Sequence, residues 1–263
     1  MRVAIVIPAR YASTRYPGKP LVPLRGATGG AKPLIRRSWE AAQAVRGVAE
    51  VHVATDDDRI AEAARGFGAS VVMTSAFARN GTERCAEALA RMDPVPDVIV
   101  NLQGDAPLTP PWFVEALIEA MESDASVQMA TPVLRCSHEA LTQLLEDRRA
   151  GRVGGTTAVF RGDGRALYFS KEVLPHVGDP GAPPPVWHHV GVYAYRPAAL
   201  TAYAGWAEGP LERAEGLEQL RFLENGTAVH CIEVEARGRA FWELNNPVDV
   251  TRIEAALAEE GIA

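Results

Sequence analysis

The chain has 263 residues and a formal net charge of −6, with 47% of its residues hydrophobic and 23% charged. That length suits one large α/β domain with a substantial core, and the acidic balance excludes a general nucleic-acid-binding protein. The three cysteines are far apart and match neither a metal site nor a disulfide framework, and no apolar run reaches the roughly 18 residues that a membrane span needs. We therefore expect a cytoplasmic protein with no nucleic-acid or membrane partner.

A basic loop follows the first predicted strand. Residues 3–7 form an apolar, β-branched run that is typical of a buried parallel strand, and Pro8 is expected to end it. Arg10, Arg15 and Lys19 follow within ten residues. Loops at the carboxyl ends of parallel strands bind ligands in open α/β sheets, so three cations there predict an anionic ligand such as phosphate. The alternative is a solvated basic loop without a ligand.

Strands and helices alternate through the rest of the first half. The predicted strands are 48–54, 69–73 and 97–102, and the predicted helices are 33–45, 59–67, 82–92 and 110–121. The glycine-rich segment 25–32 is interpreted as a flexible surface loop, because it matches neither phosphate-binding glycine motif. The alternation predicts an α/β fold with a Rossmann-like, doubly wound, mostly parallel sheet.

Asp105 follows the fourth strand after Gln103 and Gly104, at the edge of the sheet that carries Arg10 and Lys19. Mg²⁺ binds proteins through one or two carboxylates together with substrate phosphates, so Asp105 is a candidate metal ligand. The alternative is that Asp105 caps the helix at 110–121, a common role for Asp between a strand and a helix.

The second half is less regular. Its predicted strands are 127–133, 156–160, 166–170, 187–196 and 229–234, and its predicted helices are 137–149, 209–223 and 248–259. A turn at 162–164 makes 156–170 a hairpin, and 177–185 is a loop rich in glycine and proline. We expect one domain over 1–263, with a β-hairpin region inserted over one rim of the sheet.

Seven segments resemble those of the 3-deoxy-manno-octulosonate cytidylyltransferase family, which has the nucleotide-diphospho-sugar transferase type of fold. IPARYASTRYPGKPL at 7–21 is similar to the family's signature loop. The other segments follow in the same order and are VATD (53–56), NGTER (80–84), VNLQGD (100–105), ALYFSK (166–171), HVGVYAYR (189–196) and PLERAEGLEQLR (210–221). Together they cover nearly the whole chain.

The resemblance implies that CTP and a 3-deoxy-2-keto sugar acid, Kdo or a close relative, react to a CMP-sugar and pyrophosphate with Mg²⁺ as cofactor. The product would serve lipopolysaccharide or capsule synthesis. The implied catalytic residues are Arg10, Lys19 and Asp105, and the implied metal ligands are Asp105 and Asn245. CTP contacts are implied for Ala9, Arg10, Arg15, Lys19, Asn80, Gly81, Thr82, Arg84 and Gln103. Sugar contacts are implied for Gln103, His189, Tyr193, Glu218 and Gln219. The family also implies a homodimer, with region 151–205 contributing to dimerisation and to the sugar pocket.

Several of these residues also have purely structural interpretations. Tyr193 lies on an alternating strand and is as well suited to a core or an interface as to a ligand site. His188, beside the predicted sugar ligand His189, is interpreted as structural. Glu212 and Glu215 are consistent with the solvated face of a helix.

The sequence departs from the family pattern at three places. Asn245 stands where the family has an aspartate ligand, so Glu243 or Asp249 is an alternative contributor to the metal site. Ala106 replaces a glutamate beside the metal, and Thr157 occupies the place of a lysine. These departures leave three alternatives open: a different ulosonic acid (sialic-acid-like or amino-Kdo), another base or acceptor, or a catalytically weak nucleotide-binding paralogue.

Overall fold

The computed structural model describes residues 1–12, 16–153, 155–178, 184–239 and 241–263, so Arg15 and the centre of the predicted 177–185 loop lie outside them. The strands are β1 (Val3–Ala9), β2 (Pro23–Arg25), β3 (Ala31–Pro33), β4 (Glu50–Thr55), β5 (Ser70–Met73), β6 (Val98–Leu102), β7 (Met129–Arg135), β8 (Thr156–Phe160), β9 (Ala166–Ser170), β10 (Trp187–His189), β11 (Val192–Tyr195) and β12 (Val229–Glu233). The helices are α1 (Leu34–Gln43), α2 (Asp58–Gly66), α3 (Gly81–Leu89), α4 (Pro111–Ser123), α5 (His138–Arg149), α6 (Pro197–Gly205), α7 (Pro210–Glu215), α8 (Leu220–Glu224) and α9 (Asp249–Glu259). In the part of the chain that the structure describes, no helix is both long and apolar enough to cross a membrane.

The central sheet has the strand order β5-β4-β1-β6-β11-β7-β10-β8-β9, and β12 pairs with β7. Its first four strands are parallel, and β11 pairs antiparallel with β6 where the mixed part begins. Helices α1, α2 and α4 pack on one face, and α3, α6 and α8 pack on the other. The Rossmann-like, doubly wound α/β class is therefore confirmed, and the predicted hairpin forms the last two strands of the same sheet.

The prediction that Pro8 ends the first strand is wrong. β1 continues to Ala9, and Pro8 lies opposite Ala54 of β4. The carbonyl of Pro8 faces Gly104 on the other side, and the backbone N of a strand residue points to the same side as its carbonyl. β6 pairs with β1 only as far as Val6, so the missing N–H of Pro8 removes no bond from either ladder.

The glycine-rich segment 25–32 is not the flexible loop that the sequence indicates. β2 and β3 pair as a small antiparallel hairpin that encloses its central part. The buried guanidinium of Arg37 donates to the Leu24 carbonyl at 3.1 and 2.8 Å and to the Gly30 carbonyl at 3.3 Å. A cation from α1 therefore holds β2 together with the loop that joins it to β3.

Two predicted elements in the second half are each divided in two. The strand 187–196 is interrupted at Val190-Gly191, which separates β10 from β11. The helix 209–223 is interrupted after α7, where Gly216 adopts a left-handed conformation with φ of 62°. Glycine accepts positive φ at little cost, so it ends α7 and lets the chain turn before α8. The second interruption brings Glu218 and Gln219 towards α3.

Replacing Gly104 with alanine tests the close approach between the ends of β1 and β6. An added β-carbon would lie 2.7 Å from the Pro8 carbonyl oxygen, so we expect a loss of about 1–3 kcal/mol in the free energy of unfolding, measured by urea denaturation. Gly66→Ala is the matched control, because nothing lies within 4 Å of a β-carbon there. Alanine at that helical position is expected to stabilise by about 0.5–1 kcal/mol. Equal losses for both variants would contradict the close approach.

Candidate active site

A cleft of about 260 Å³ opens at the carboxyl ends of β1 and β6. Its walls come from the loop after β1, a single 3₁₀ turn over Lys19–Leu21, the loop that enters α3 and the residues directly after β6. The lining residues are Pro8, Ala9, Arg10, Lys19, Pro20, Leu34, Ala78, Arg79, Asn80, Gly81, Arg84, Gln103, Gly104 and Asp105. The cleft thus brings together the described residues of the predicted CTP set except Thr82, which is buried behind it. Arg15 lies outside the described residues.

An ion pair spans the base of this cleft. Lys19 Nζ lies 2.6 Å from Asp105 Oδ2, and both side chains are largely but not fully buried. The Asp105 carbonyl also accepts the backbone N–H of Leu244 at 2.8 Å. The helix-cap alternative for Asp105 is wrong, because α4 begins only at Pro111, with Pro110 in the cap position. Asp105 is therefore available to the cleft.

The hydrogen bond from the Leu244 N–H to the Asp105 carbonyl holds the loop that contains Asn245 beside Asp105. Asn245 Nδ2 donates to Glu243 Oε2 at 3.4 Å, which leaves the amide oxygen of Asn245 as a possible ligand. Asp249 Oδ2 instead accepts the backbone N–H groups of Asn245 and Asn246 at 3.0 and 2.7 Å. Of the two alternative carboxylates, Asp249 is thus engaged in closing the turn, and Glu243 is the one beside the Asn245 amide.

The side-chain oxygens of Asp105 and Asn245 suit magnesium in kind, but they are too few to complete its coordination. Carboxylate and amide oxygens are hard ligands of the kind that Mg²⁺ prefers. Within residues 1–12, 16–153, 155–178, 184–239 and 241–263, however, no group of three His, Cys, Asp or Glu side chains is arranged to hold a metal. A metal at Asp105 and Asn245 would therefore take its remaining ligands from substrate phosphates and water.

The N-terminus of α3 forms another wall of the cleft. Asn80 caps the helix, since its Oδ1 accepts the Glu83 N–H at 2.8 Å, and its Nδ2 donates to the Tyr203 hydroxyl at 2.9 Å. A β-carbon on Gly81 would lie 2.7 Å from Gln103 Nε2. The absence of a β-carbon at Gly81 thus lets the Gln103 amide pack closely on this helix end.

Glu218 contacts both the helix end and Gln103. Its Oε2 accepts the Thr82 N–H at 3.2 Å, and its Oε1 accepts Gln103 Nε2 at 3.4 Å. Burial raises the pKa of Glu218 to about 7, against the opposing effect of the Thr82 N–H and with a further increase from Glu212. The ionised and neutral forms of Glu218 are therefore nearly equally populated at neutral pH.

The other predicted sugar residues are packed beneath the cleft. The Tyr193 hydroxyl donates to Gln219 Oε1 at 3.3 Å, and His189 Nε2 lies 2.9 Å from the Thr131 hydroxyl. Burial, with a smaller effect of His188, lowers the pKa of His189 to about 3, so His189 is neutral. The interpretation of Tyr193 as a core residue agrees with its burial.

Arg84 is not a free cation of the cleft. It is almost fully buried, pairs with Asp56 Oδ1 at 3.2 Å and donates to the Thr74 hydroxyl. Burial lowers the pKa of Arg84, and Asp56 opposes this effect. Arg10, by contrast, is exposed at the rim and reaches the Arg79 carbonyl at 3.5 Å. Arg10 and Lys19 are thus the predicted cations best situated to meet an anionic ligand.

Sequence analysis overlooked Asn101, which lies fully buried in β6. Neither atom of its side-chain amide has a hydrogen-bond partner among the described residues, and the same is true of Gln219 Nε2. Asn101 lies opposite Tyr193 on β11, and its Nδ2 would be 3.2 Å from a β-carbon on Gly81. The signal that could have revealed it is an asparagine inside the apolar run VIVNL.

Arg221, also overlooked, is the centre of a buried ionic cluster. Its guanidinium donates to both carboxylate oxygens of Glu212 at 2.6 Å and to Glu83 at 3.0 Å, and it lies 4.1 Å from the centre of the Tyr203 ring. Glu212 is therefore buried, and its interpretation as a solvated residue is wrong. Glu215 is also engaged, because it accepts hydrogen bonds from Ser170 Oγ and the Lys171 N–H.

Comparison with known proteins gives consistent results. The model of the family described as cytidylyltransferase matches residues 4–234. The 3-deoxy-manno-octulosonate cytidylyltransferases of Maricaulis maris and Myxococcus xanthus are 42% and 43% identical over 261 residues, covering 99% of this chain and 99% and 98% of theirs. A solved structure of CMP:2-keto-3-deoxy-manno-octonic acid synthetase in complex with CTP is 34% identical, with a TM-score of 0.85 and coverage of 99% of this chain and 100% of that one.

Replacing Arg221 with methionine tests the ionic cluster. The change leaves Glu212 buried without its cation and removes one of the two arginines that pair with Glu83, so we expect a loss of about 3–5 kcal/mol in the free energy of unfolding. Arg46→Met is the matched control, because the Arg46–Glu115 pair lies at the surface and its loss should leave the urea midpoint unchanged. Unfolding at equal urea concentrations for both variants would contradict the structural importance of the cluster.

Proposed function

Because the chain belongs to the cytidylyltransferase family, we propose that it transfers the CMP group of CTP to a 3-deoxy-2-keto sugar acid, Kdo or a close relative, with release of pyrophosphate. The observation that carries this proposal is the cleft in which Arg10, Lys19 and Asp105 meet at the ends of two adjacent parallel strands. It offers cations for a triphosphate and a carboxylate for its metal in one place. The relatives named above act on the same acceptor.

The triphosphate would be bound by side chains and not by the end of α3. The first N–H groups of that helix are already used, since Thr82 donates to Glu218 and Glu83 donates to Asn80. Among the residues that the structure describes, Arg10 and Lys19 are the predicted CTP contacts whose charges remain for the phosphates. Cations fixed in this way stabilise charge that develops on departing pyrophosphate.

Asp105 and Asn245 would hold magnesium, together with oxygens of the nucleotide. The bound metal would neutralise phosphate charge and favour ionisation of the attacking sugar hydroxyl. Lys19 has two consecutive partners in this scheme: it pairs with Asp105 in the free protein and with phosphate once the nucleotide is bound. The loop of Asn245 stays beside Asp105 through the Leu244 hydrogen bond.

The acceptor would lie between Gln103 and the turn of Glu218 and Gln219. A polyol acid needs many directional polar partners, and this wall supplies amides, a carboxyl and the Tyr193 hydroxyl. Thr157, at the place of the family's lysine, is fully buried, and its hydroxyl bonds to the Glu172 carbonyl at 2.7 Å. Thr157 therefore supplies no positive charge to the acceptor site. Assays with different 2-keto-3-deoxy acids identify the preferred acceptor.

A cytoplasmic location and a homodimer through region 151–205 stay predictions. In support of the second, β9 ends the strand order of the sheet and its Leu167 side chain is exposed. An exposed leucine on a terminal strand suits burial against another subunit.

Pyrophosphate release tests the proposed function. We expect release from CTP with Mg²⁺ and Kdo, and much less from UTP, ATP or GTP. Release from CTP only with another ulosonic acid would correct the acceptor and keep the reaction type. No release with any combination would favour a nucleotide-binding paralogue without catalysis.

Asp105→Asn tests the metal ligand. The substitution removes the charge and retains the shape, so we expect kcat to fall by at least about 100-fold, with CTP and Kdo saturating. A loss below about tenfold, roughly 1.4 kcal/mol, would contradict the role of Asp105. The melting temperature of the variant checks that its fold is intact.

Lys19→Met tests the exchange of partners at Asp105. Without the ammonium group 2.6 Å away, the carboxylate attracts a divalent cation more strongly, so we expect nucleotide-free protein to bind Mn²⁺ roughly threefold to tenfold more tightly in a spin-resonance titration. CTP binding should weaken in the same variant. Lys32→Met is the control, because Lys32 pairs with Glu40 outside the cleft lining. Weaker Mn²⁺ binding by Lys19→Met would contradict the exchange.

A further inference from the structure

The carboxylate of Glu218 joins two walls of the cleft that come from distant parts of the chain. It accepts the Thr82 N–H at the start of α3 and the side-chain N–H of Gln103 after β6. Glu218 itself lies in the turn between α7 and α8, which the buried pair of Arg221 and Glu212 fixes in place. Its position is therefore set independently of the two groups that it contacts.

The contact with Gln103 determines how that amide can be used. A carboxylate only accepts hydrogen bonds, so the NH₂ group of Gln103 has to face Glu218. The amide oxygen of Gln103 is then the part left for the cleft, where it can accept a hydrogen bond from a hydroxyl group. Without an ionised Glu218, the amide is free to turn over and present its NH₂ group instead.

We propose that ionised Glu218 is a positioning residue that holds the Gln103 amide with its oxygen towards the cleft, so that a substrate hydroxyl donates to it. This inference rests on the proposed function, because the hydroxyl belongs to the ribose of CTP or to the sugar acid. In this role Glu218 acts on the substrate through Gln103.

The surroundings of Glu218 make this ionisation costly. The groups that face it are Glu212 from α7, Cys85 from α3, Tyr203 from α6, and Tyr193 and Tyr195 from β11. None of these supplies a positive charge, and burial raises the pKa of Glu218 from 4.5 to about 7. Since the folded-state pKa is the higher one, the folded protein loses stability as the pH rises from about 4.5 through about 7.

Two opposite effects are therefore expected of Glu218→Gln. An amide at this position pairs with Gln103 in either orientation, so KM for CTP or for the acceptor should rise roughly tenfold at pH 8, with a smaller change in kcat. The same substitution removes the buried charge, so the melting temperature at pH 8 should rise by about 3 °C and the gain should disappear near pH 5. The matched control is Glu215→Gln, a carboxylate of the same segment that caps Lys171 away from the cleft.

The decisive measurement combines a pH profile with a double-mutant cycle. KM of the unmodified protein should increase as the pH falls from 8 to 6, whereas KM of Glu218→Gln should stay constant over that range. In a Gln103→Ala background, Glu218→Gln should change KM less than about twofold, because the group that it positions is gone. A full effect in that background would overturn the inference, and so would a melting temperature that falls at pH 8.

Failure of the proposed function would look different. If the unmodified protein releases no pyrophosphate from CTP with any ulosonic acid, the reaction itself is wrong, and the stability profile of Glu218→Gln still tests the buried charge. If the unmodified protein is active and Glu218→Gln behaves like Glu215→Gln in both KM and melting temperature, the positioning role is wrong and the function stands.

Discussion

The parallel pairing of β1 with β6 is the constraint on which the site depends. It carries the residues that follow each strand to one edge of the sheet, where Lys19 and Asp105 pair across 2.6 Å. Gly104 permits this approach, because any β-carbon there would press on the Pro8 carbonyl. The pairing of the two strands therefore positions the cleft, and the two short loops that follow them supply its charged side chains.

Ion pairs with different burial have different tasks around the cleft. Arg221 with Glu212 and Glu83 is closed off from solvent, which fixes the turn between α7 and α8 against α3. Lys19 with Asp105 lines the cleft and is less buried, which supports the proposal that each exchanges the other for the nucleotide or its metal. A buried pair that is broken costs several kcal/mol, whereas a reachable pair can be replaced by new partners. The degree of burial therefore distinguishes the ion pairs that stabilise the structure around the cleft from the pair that is accessible to a ligand.

The first half of the fold was predictable because its apolar periodicity is local, and so was the closeness of Arg10, Lys19 and Asp105. The strand break at Val190-Gly191 was not, since it depends on pairing with strands far along the chain. The family resemblance places Arg84 in the CTP set, whereas its burial and its pairing with Asp56 could not be predicted, because that contact arises only in the folded sheet. Local sequence patterns do not show which charged side chains pair with each other in the ligand-free protein.

Unpaired buried amides show where the cleft lacks a partner. The side chain of Asn101 and the Nε2 of Gln219 have none among the described residues, and each such group costs about 1–3 kcal/mol when it is left unsatisfied. Both lie around Tyr193, and the carboxyl of the neighbouring Glu218 ionises only at a cost, because burial raises its pKa to about 7. A fold that retains three unfavourable polar groups in one place loses stability there, and stability exchanged for function is expected where a polar ligand binds. This energetic deficit supports the proposal that the acceptor lies against this wall.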